Sequence, residues 1–210
     1  MIVVLIWLGI QGSSDMAINY YILDTETTGT KHGYHEITQI AIIRASDRVQ
    51  MNKYIKPQFL DRVSPDALTY TGRTMADLEK GGTKEEAVQL CNNFLKEDGA
   101  DSEDRCIIGH NIVVFDKRFI HHLWGSVGET FPANLWLDTI PYTKAFIKAK
   151  GLTSKKYSLN IACELVGVTP KEGAHNAVSD TQNNYLLWEA LKKEGIPSLP
   201  HIKRMAHVIE

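Results

Sequence analysis

The stretch Asp24-Thr25-Glu26-Thr27-Thr28-Gly29 decides how this sequence folds and what it does. It follows the apolar run 18–23, Ile-Asn-Tyr-Tyr-Ile-Leu, which predicts a buried strand. Side chains two residues apart in a strand leave the same face, so Asp24 and Glu26 are expected to point the same way. Neighbouring carboxylates repel each other, and desolvation adds to the cost of ionising them. The pair therefore indicates either a divalent cation site or two unrelated acids at a solvated strand end.

The composition is that of an ordinary globular domain. The chain has 210 residues, of which 43% are hydrophobic and 23% charged, and this is enough for one domain with a sizeable core. The net charge of −2 argues against bulk electrostatic capture of duplex nucleic acid, although it is compatible with a local basic patch. Cys91, Cys106 and Cys163 are far apart and have no metal-binding spacing, which predicts a reducing, cytoplasmic setting.

Residues 1–15 are predicted to be an apolar extension and linker outside the domain. The first ten residues are almost all apolar but too few to span a bilayer, and they lack the features of a secretory signal, so no membrane partner is expected. They favour a strand over 2–8, which is either a simple extension or a segment that pairs with a partner protein. The domain itself is predicted over 16–196, with a loosely packed C-terminal tail over 197–210.

The order of the predicted elements indicates the fold class. Predicted strands are 18–23, 36–44, 51–57, 105–109 and 135–138, and helices are expected from 64, over 83–96, from 114, and over 140–150, 158–166 and 174–193. The first three strands predict an antiparallel meander, and the later strands alternate with helices. This pattern predicts an α/β domain, in which a mixed sheet of an antiparallel meander followed by parallel strands is flanked by helices. The acidic run 97–104 predicts a solvated loop.

Two further segments place acids where a loop meets a helix. One runs from His110-Asn111 to Asp116, and the other from His175 to Asp180. In open sheets, functional groups gather where strand ends and helix starts converge. A carboxylate in the first turn of a helix is also favoured by the helix dipole, so Asp116 and Asp180 could be ordinary helix-start acids.

In this order and spacing, the three segments resemble the motifs of the DEDDh 3′→5′ exonuclease superfamily. That superfamily has a ribonuclease H-like fold and includes the proofreading epsilon subunit of bacterial DNA polymerase III and ribonuclease T. Residues 24–29 resemble its first motif, 109–116 its second, and His175 with Asp180 its third, in the histidine form. The resemblance covers about 19–194, and it departs at Thr71-Gly72, where many relatives have His-Gly.

The resemblance implies a site and an activity. Four acids are expected to bind two Mg²⁺ or Mn²⁺ ions, for which oxygen ligands are suited: Asp24, Glu26, Asp116 and Asp180. His175 is the expected general base, since an imidazole accepts a proton near neutral pH. The implied reaction is metal-dependent 3′→5′ hydrolysis that releases nucleoside monophosphates from the 3′ ends of single-stranded DNA, in proofreading or end trimming.

Substrate contacts are expected from residues of the first two motifs and from a basic stretch: Thr27, Thr28, Gly29, His110, Asn111, Lys155 and Lys156. The stretch 144–156 holds five lysines, which either bind the backbone of a single strand or form a solvated face. Ile37 is either a residue that stacks on the terminal base or an ordinary core residue.

Two other functions stay open. The first is a 3′→5′ RNA exonuclease, since no feature of the sequence shows recognition of a 2′-hydroxyl group. The second is a non-catalytic nucleic-acid-binding module on the same fold. Relatives also act as trimming domains of CRISPR integration proteins, so a polymerase or a CRISPR integrase complex is the candidate partner of residues 2–8.

Overall fold

The computed structural model describes residues 18–171 and 175–195, together with the backbone of 203 and 204. The predicted strand at 2–8 and its linker lie outside these ranges, as does the tail over 197–210 apart from the two residues named.

The described residues form one mixed sheet. Its strands are β1 Asn19–Thr27, β2 Ile37–Arg44, β3 Gln50–Tyr54, β4 Arg105–Gly109, β5 Leu135–Asp138 and β6 Lys203–Arg204. They are arranged in the order β3-β2-β1-β4-β5-β6. The first three pair antiparallel, β4 and β5 run parallel to β1, and β6, from the predicted tail, pairs antiparallel at the edge. The predicted meander followed by parallel strands is confirmed.

Helices cover both faces of this sheet. Within the described residues they are α1 Pro65–Thr71, α2 Met75–Glu79, α3 Lys84–Lys96, α4 Asp116–Ser126, α5 Thr139–Ala149, α6 Leu159–Leu165 and α7 Ala177–Lys193. Helix α7 begins later than the predicted 174, because the Asn176 side chain accepts a hydrogen bond from the Val178 N–H at 3.0 Å and caps the helix there. His175 is therefore outside the helix.

Strand β1 contributes to two cores, because its side chains alternate between the faces of the sheet. Tyr21 and Leu23 pack with residues of α3 and α4, whereas Ile22 packs on the other face with residues of α5, α6 and α7. Ile37, on β2, belongs to the first core and is 3% exposed. The structure thus supports its interpretation as a core residue rather than as a base-stacking residue.

The prediction of a solvated acidic loop over 97–104 is wrong at Asp98. The Asp98 carboxylate is 8% exposed and is paired with the buried Arg105 guanidinium at 2.7 Å. Tyr21 Oη also donates to Asp98 at 2.8 Å, and Arg105 donates to the carbonyl oxygen of Pro132 at 3.0 Å. Burial opposes ionisation of Asp98, but the hydrogen bonds from Arg105, from a backbone N–H and from Tyr21 outweigh it and lower the pKa of Asp98. The acid is a structural anchor at the amino end of β1 and β4.

The three cysteines are not involved in disulfides or in a metal site among the described residues. Cys91, Cys106 and Cys163 are buried free thiols, and burial raises the pKa of each to about 12. In the part of the chain that the structure describes, no helix is both long and apolar enough to cross a membrane.

Replacing Arg105 is expected to destabilise the fold. Arg105→Met leaves the buried Asp98 carboxylate without its cation, which should lower the free energy of unfolding by about 3–5 kcal/mol. Urea denaturation measures this value. The matched change at an exposed arginine of α4, Arg118→Met, should stay within about 0.5 kcal/mol of wild type. A comparable small effect of both changes would show that the Asp98–Arg105 pair does not anchor the sheet.

Candidate active site

The carboxyl end of β1 and the start of α7 bring three acids together. Asp24 and Glu26 leave the same face of β1, as their spacing predicts, and Asp180 lies in the first turn of α7. One carboxylate oxygen from each of these residues lies within 4.8 Å of the other two. Acids that are distant in sequence thus form a single cluster.

Strand β2 fixes α7 at this place. In the β1–β2 register, Asp24 is paired with Ala41 and Glu26 with Gln39. The carbonyl oxygen of Ala41 accepts a hydrogen bond at 3.5 Å from Oγ1 of Thr181, the residue that follows Asp180. Gln39 Nε2 donates at 3.2 Å to Oδ1 of the capping residue of α7. The residues opposite the two strand acids therefore hold the helix that supplies the third.

Asp116 reaches the same cleft from the other face of the sheet. It is the first residue of α4 and is 4% exposed. Its Oδ1 accepts hydrogen bonds from the N–H of Thr25 at 3.1 Å and from Thr25 Oγ1 at 2.6 Å. Thr25 lies between the two strand acids and points away from them, so it is the residue that orients Asp116. Thr25 was not predicted from the sequence as a site residue, although its position inside the Asp-x-Glu pair is the signal that could have identified it.

The negative charges of these acids repel one another. Burial, together with the charges of Asp116, Glu26 and Asp180, raises the pKa of Asp24 well above its usual range. Burial and neighbouring acids raise the pKa of Glu26 to about 8, and burial raises the pKa of Asp116 to about 6 against the hydrogen bonds from Thr25. An all-carboxylate donor set of this kind fits a hard divalent cation such as Mg²⁺ or Mn²⁺, which relieves the repulsion.

His175 lies at the border of the cluster. Its ring stacks on that of Tyr70, with centroids 3.5 Å apart and planes inclined by 36°. Its backbone is left-handed, with φ +69°, and its side chain lines a neighbouring cavity of about 360 Å³ that also contains Arg73. Burial raises the pKa of Asp180, while the charge of His175 acts to lower it. Tyr70, which was not identified from sequence, directly precedes the Thr71-Gly72 pair.

The first-motif residues expected to contact substrate have different positions. Thr27 and Gly29 line the cleft, which has a volume of about 510 Å³, whereas Thr28 is buried and is hydrogen-bonded to Glu36. A Cβ atom at Gly29 would lie 2.5 Å from Nε2 of His35. A side chain at position 29 would therefore displace the His35 ring, which also lines the cleft.

His110 and Asn111 both line the cleft, but they are held mainly by protein contacts. His110 Nε2 lies 2.6 Å from the carbonyl oxygen of Tyr157, and Nδ1 lies 2.9 Å from Thr139 Oγ1. Since a carbonyl only accepts, Nε2 carries a proton, and burial lowers the pKa of the ring. Asn111 has φ +63°, and its N–H donates to Asp138 Oδ1 at 3.1 Å.

Lys155 and Lys156 are exposed in the loop between α5 and α6, and they do not line the cleft. The same loop contains Tyr157, whose carbonyl oxygen contacts His110. The two lysines are therefore tied to the cleft through the backbone of their own loop rather than through direct contact.

A family model of exonucleases, RNase_T, matches residues 21–188 of the chain. The chain belongs to this exonuclease family. The expected DEDDh resemblance is confirmed, and the three acidic segments described above all lie within the matched range.

Two curated relatives are similar to most of this chain. It is 28% identical over 198 residues to a PolC-type DNA polymerase III of Thermotoga petrophila, and 31% identical over 172 residues to the 3′-5′ exonuclease DinG of Staphylococcus haemolyticus. These matches cover 91% and 80% of the chain, but only 13% and 17% of the two relatives. The chain therefore spans less than a fifth of the length of either protein.

Solved structures show the same fold. The nuclease domain of 3′hExo, a DEDDh family member solved with rAMP, has a TM-score of 0.70 at 16% identity, and the match covers 92% of this chain and all of that one. Exonuclease I of E. coli, solved with single-stranded DNA, has a TM-score of 0.71 at 17% identity and covers 85% of this chain and 41% of its own.

Divalent cations are expected to stabilise the protein through the acid cluster. Mg²⁺ at 100 times its dissociation constant stabilises a protein by about 2.7 kcal/mol, which is a rise in Tm of about 5–10 °C at this chain length. Asp24→Asn and Asp180→Asn should lose most of this rise. In EDTA both variants should melt at or above the wild-type temperature, because a neutral side chain removes repulsion.

Thermal melts in EDTA and in Mg²⁺ measure these effects. Asp66→Asn is the matched control, because Asp66 is an exposed acid that lines the cleft outside the cluster. It should keep the full response to Mg²⁺. An equal response in Asp180→Asn would place the cation elsewhere.

Proposed function

We propose that this chain is a metal-dependent 3′→5′ exonuclease, which hydrolyses single-stranded DNA from its 3′ end and releases nucleoside monophosphates. The observation that carries the proposal is the convergence of Asp24, Glu26 and Asp180, with oxygens within 4.8 Å of one another. The direction of cleavage is supported by the DinG relative, whose name specifies a 3′-5′ exonuclease.

The proposed cofactors are two Mg²⁺ or Mn²⁺ ions. Asp24, Glu26, Asp116 and Asp180 are the residues that would hold them, and their oxygen donors suit hard cations. When bound, such ions polarise the scissile phosphate and activate water for an in-line displacement. The role of the protein is to hold the four carboxylates in place in spite of their repulsion, and Thr25 holds Asp116.

His175 is the proposed general base. In the reaction, water attacks the phosphorus atom of the terminal nucleotide and its proton passes to the imidazole. The bond from phosphorus to the preceding 3′ oxygen breaks, and that oxygen takes up a proton from solvent to become the new 3′-hydroxyl end. An imidazole suits this role because its usual pKa is about 6.5. The stack on Tyr70, which lines the cleft, holds the ring near Asp180, although the ring itself lines the neighbouring cavity.

Substrate binding follows from the shape of the cleft. Thr27 and Gly29 are proposed to offer backbone to the terminal nucleotide, and His110 and Asn111 also line the cleft. Lys155 and Lys156 are proposed to contact the phosphate backbone from their exposed loop. DNA is favoured because one relative is a DNA polymerase and one structural neighbour is an exonuclease solved with single-stranded DNA.

RNA is the alternative substrate of the same site. A DEDDh neighbour was solved with rAMP, a ribonucleotide. The other alternative, a non-catalytic binding module, is disfavoured because all four acids and His175 are present.

A protein partner is proposed for residues 2–8, in a polymerase or CRISPR integrase complex. This proposal rests on the apolar sequence of the segment, which lies outside the described residues. Deletion of residues 1–15 tests it, since an unchanged oligomeric state and unchanged partner binding would exclude it. A cytoplasmic location is proposed from the three free thiols, and fractionation of cells tests it.

Matched single-stranded DNA and RNA oligonucleotides should distinguish the three functions. With Mg²⁺, wild type is expected to shorten 5′-labelled DNA stepwise and to release mononucleotides, and EDTA should stop the reaction. Asp180→Asn should be inactive. His175→Ala should lower the cleavage rate by a factor of about 10²–10⁴, the usual contribution of a general base. Faster digestion of RNA would favour the alternative substrate, and no metal-dependent digestion of either would favour the binding module.

Removal of the Tyr70 ring should impair the placement of His175. Tyr70→Ala is expected to lower kcat about tenfold or more, because misplacement of a reacting group by about 1 Å costs on the order of 10² in rate. Tyr70→Phe keeps the ring and should retain most activity. Tyr70 is 60% exposed, so neither change should alter Tm by more than about 1–2 °C. An equal loss in both variants would assign the effect to the hydroxyl group instead of the stack.

A further inference from the structure

A second groove continues from the catalytic cleft. It has a volume of about 620 Å³ and lies between the β1–β2 connection, the segment after β3 and helix α4. The His35 side chain lines both the cleft and this groove. The Tyr34 ring meets the His35 ring edge-on, with centroids 5.0 Å apart. His35 therefore lies where the cleft and the groove meet, with Tyr34 beside it in the groove.

The groove contains an aromatic–arginine cluster, which consists of Tyr34, Phe59 and Arg62. The Arg62 guanidinium lies 3.8 Å from the ring centroid of Phe59 and 4.9 Å from that of Tyr34. Tyr34 is 44% exposed and Phe59 37% exposed, so each ring presents a surface to solvent. The Lys31 ammonium lies 5.5 Å from the Tyr34 centroid and adds a second cation.

The cations of this cluster are available for a ligand. Across residues 18–171 and 175–195, no carboxylate lies within ion-pair distance of Arg62 or Lys31. Glu36 also lines the groove, but its carboxylate accepts hydrogen bonds from the N–H groups of Gln58 at 3.1 Å and Phe59 at 2.8 Å. This acid therefore holds the loop that carries Phe59 in place instead of pairing with the arginine.

The turn that carries Tyr34 is held by its own hydrogen bonds. The turn that carries Tyr34 is closed by hydrogen bonds from the Lys31 N–H to His35 Nδ1 at 2.9 Å and from the His35 N–H to the Lys31 carbonyl at 2.8 Å. Gly33 has φ +78° in this turn, a conformation that a residue with a side chain rarely adopts. Pre-organised groups lose little conformational freedom on binding.

We propose that this groove binds the part of the single strand that precedes the nucleotide being removed. Bases stack on Tyr34 and Phe59, and phosphates contact Arg62 and Lys31. Exposed rings beside unpaired cations suit a single-stranded nucleic acid, because stacking accepts any base and the cations follow the backbone. The inference rests on the proposed function, since it places the terminal nucleotide at the acids and the preceding ones beyond His35.

Activity as a function of oligonucleotide length tests the groove. We would measure kcat/KM with Mg²⁺ for oligothymidylates of two, four, six and eight nucleotides. Wild type should gain activity with length, because contacts remote from the reacting bond add binding energy. In the double variant with Tyr34→Ala and Phe59→Ala, about tenfold or more of this gain should be lost on the longest substrate, and the loss should be smallest on the dinucleotide.

Two further variants separate the groups. Tyr34→Phe keeps the ring and should retain the wild-type gain in activity with length. Arg62→Ala should weaken the salt dependence of KM if the guanidinium contacts phosphate. Lys96→Ala, at an exposed position at the end of α3, is the control for loss of one surface cation and should behave as wild type.

The outcomes distinguish the groove from the catalytic proposal. If wild type cleaves the dinucleotide but gains nothing with length, or if the double variant keeps the gain, the groove proposal is overturned and the exonuclease proposal stands. If wild type cleaves nothing with Mg²⁺ or Mn²⁺, the exonuclease proposal fails. Fluorescence anisotropy of a labelled octanucleotide then tests the groove alone: weaker binding by the double variant supports it, and unchanged binding overturns it.

Discussion

The site depends on the docking of one helix against one strand. Helix α7 carries Asp180, and it is held by Gln39 and Ala41 of β2, the residues paired with Glu26 and Asp24. Because the same two pairs position the strand acids and the helix, a shift of register would move all three carboxylates at once. The antiparallel meander is thus the frame of the cluster.

This frame must withstand the repulsion that it creates. Burial and mutual charge raise the pKa values of the cluster acids, so their ionised forms oppose folding at neutral pH. At the opposite end of β1, the buried pair of Asp98 and Arg105 joins β1, β4 and the end of α3 through Tyr21 and Leu95. Strand β1 therefore has a neutralised ion pair near its amino end and, among the described residues, a cluster of acids without ion-pair partners at its carboxyl end, where a cation can bind.

Hydrogen bonds connect the first motif to the neighbouring segments that line the cleft and the groove. Thr28 pairs with Glu36, and its carbonyl oxygen accepts from the Ser64 N–H at 2.8 Å, just before the helix that carries Tyr70. The Glu36 carboxylate in turn fixes the loop that carries Phe59. The acids, the ring that holds His175 and the aromatic–arginine cluster therefore belong to one connected unit around the end of β1.

Local pattern was sufficient for strands β1 to β5, for most of the helices and for the acids, because strand period, helix caps and motif spacing depend on neighbouring residues. It did not predict β6 or the start of α7 at Ala177. Asp24 and Glu26 could be placed on one face for this reason. The role of Asp98, the orientation of Asp116 by Thr25 and the Tyr70–His175 stack all join distant residues, so only the tertiary structure decided them. The sequence by itself determined the exonuclease family and the positions of the acids along the chain, whereas the folded chain decided the separations of those acids, their pKa values and the course of the cleft, since these depend on contacts across the sheet.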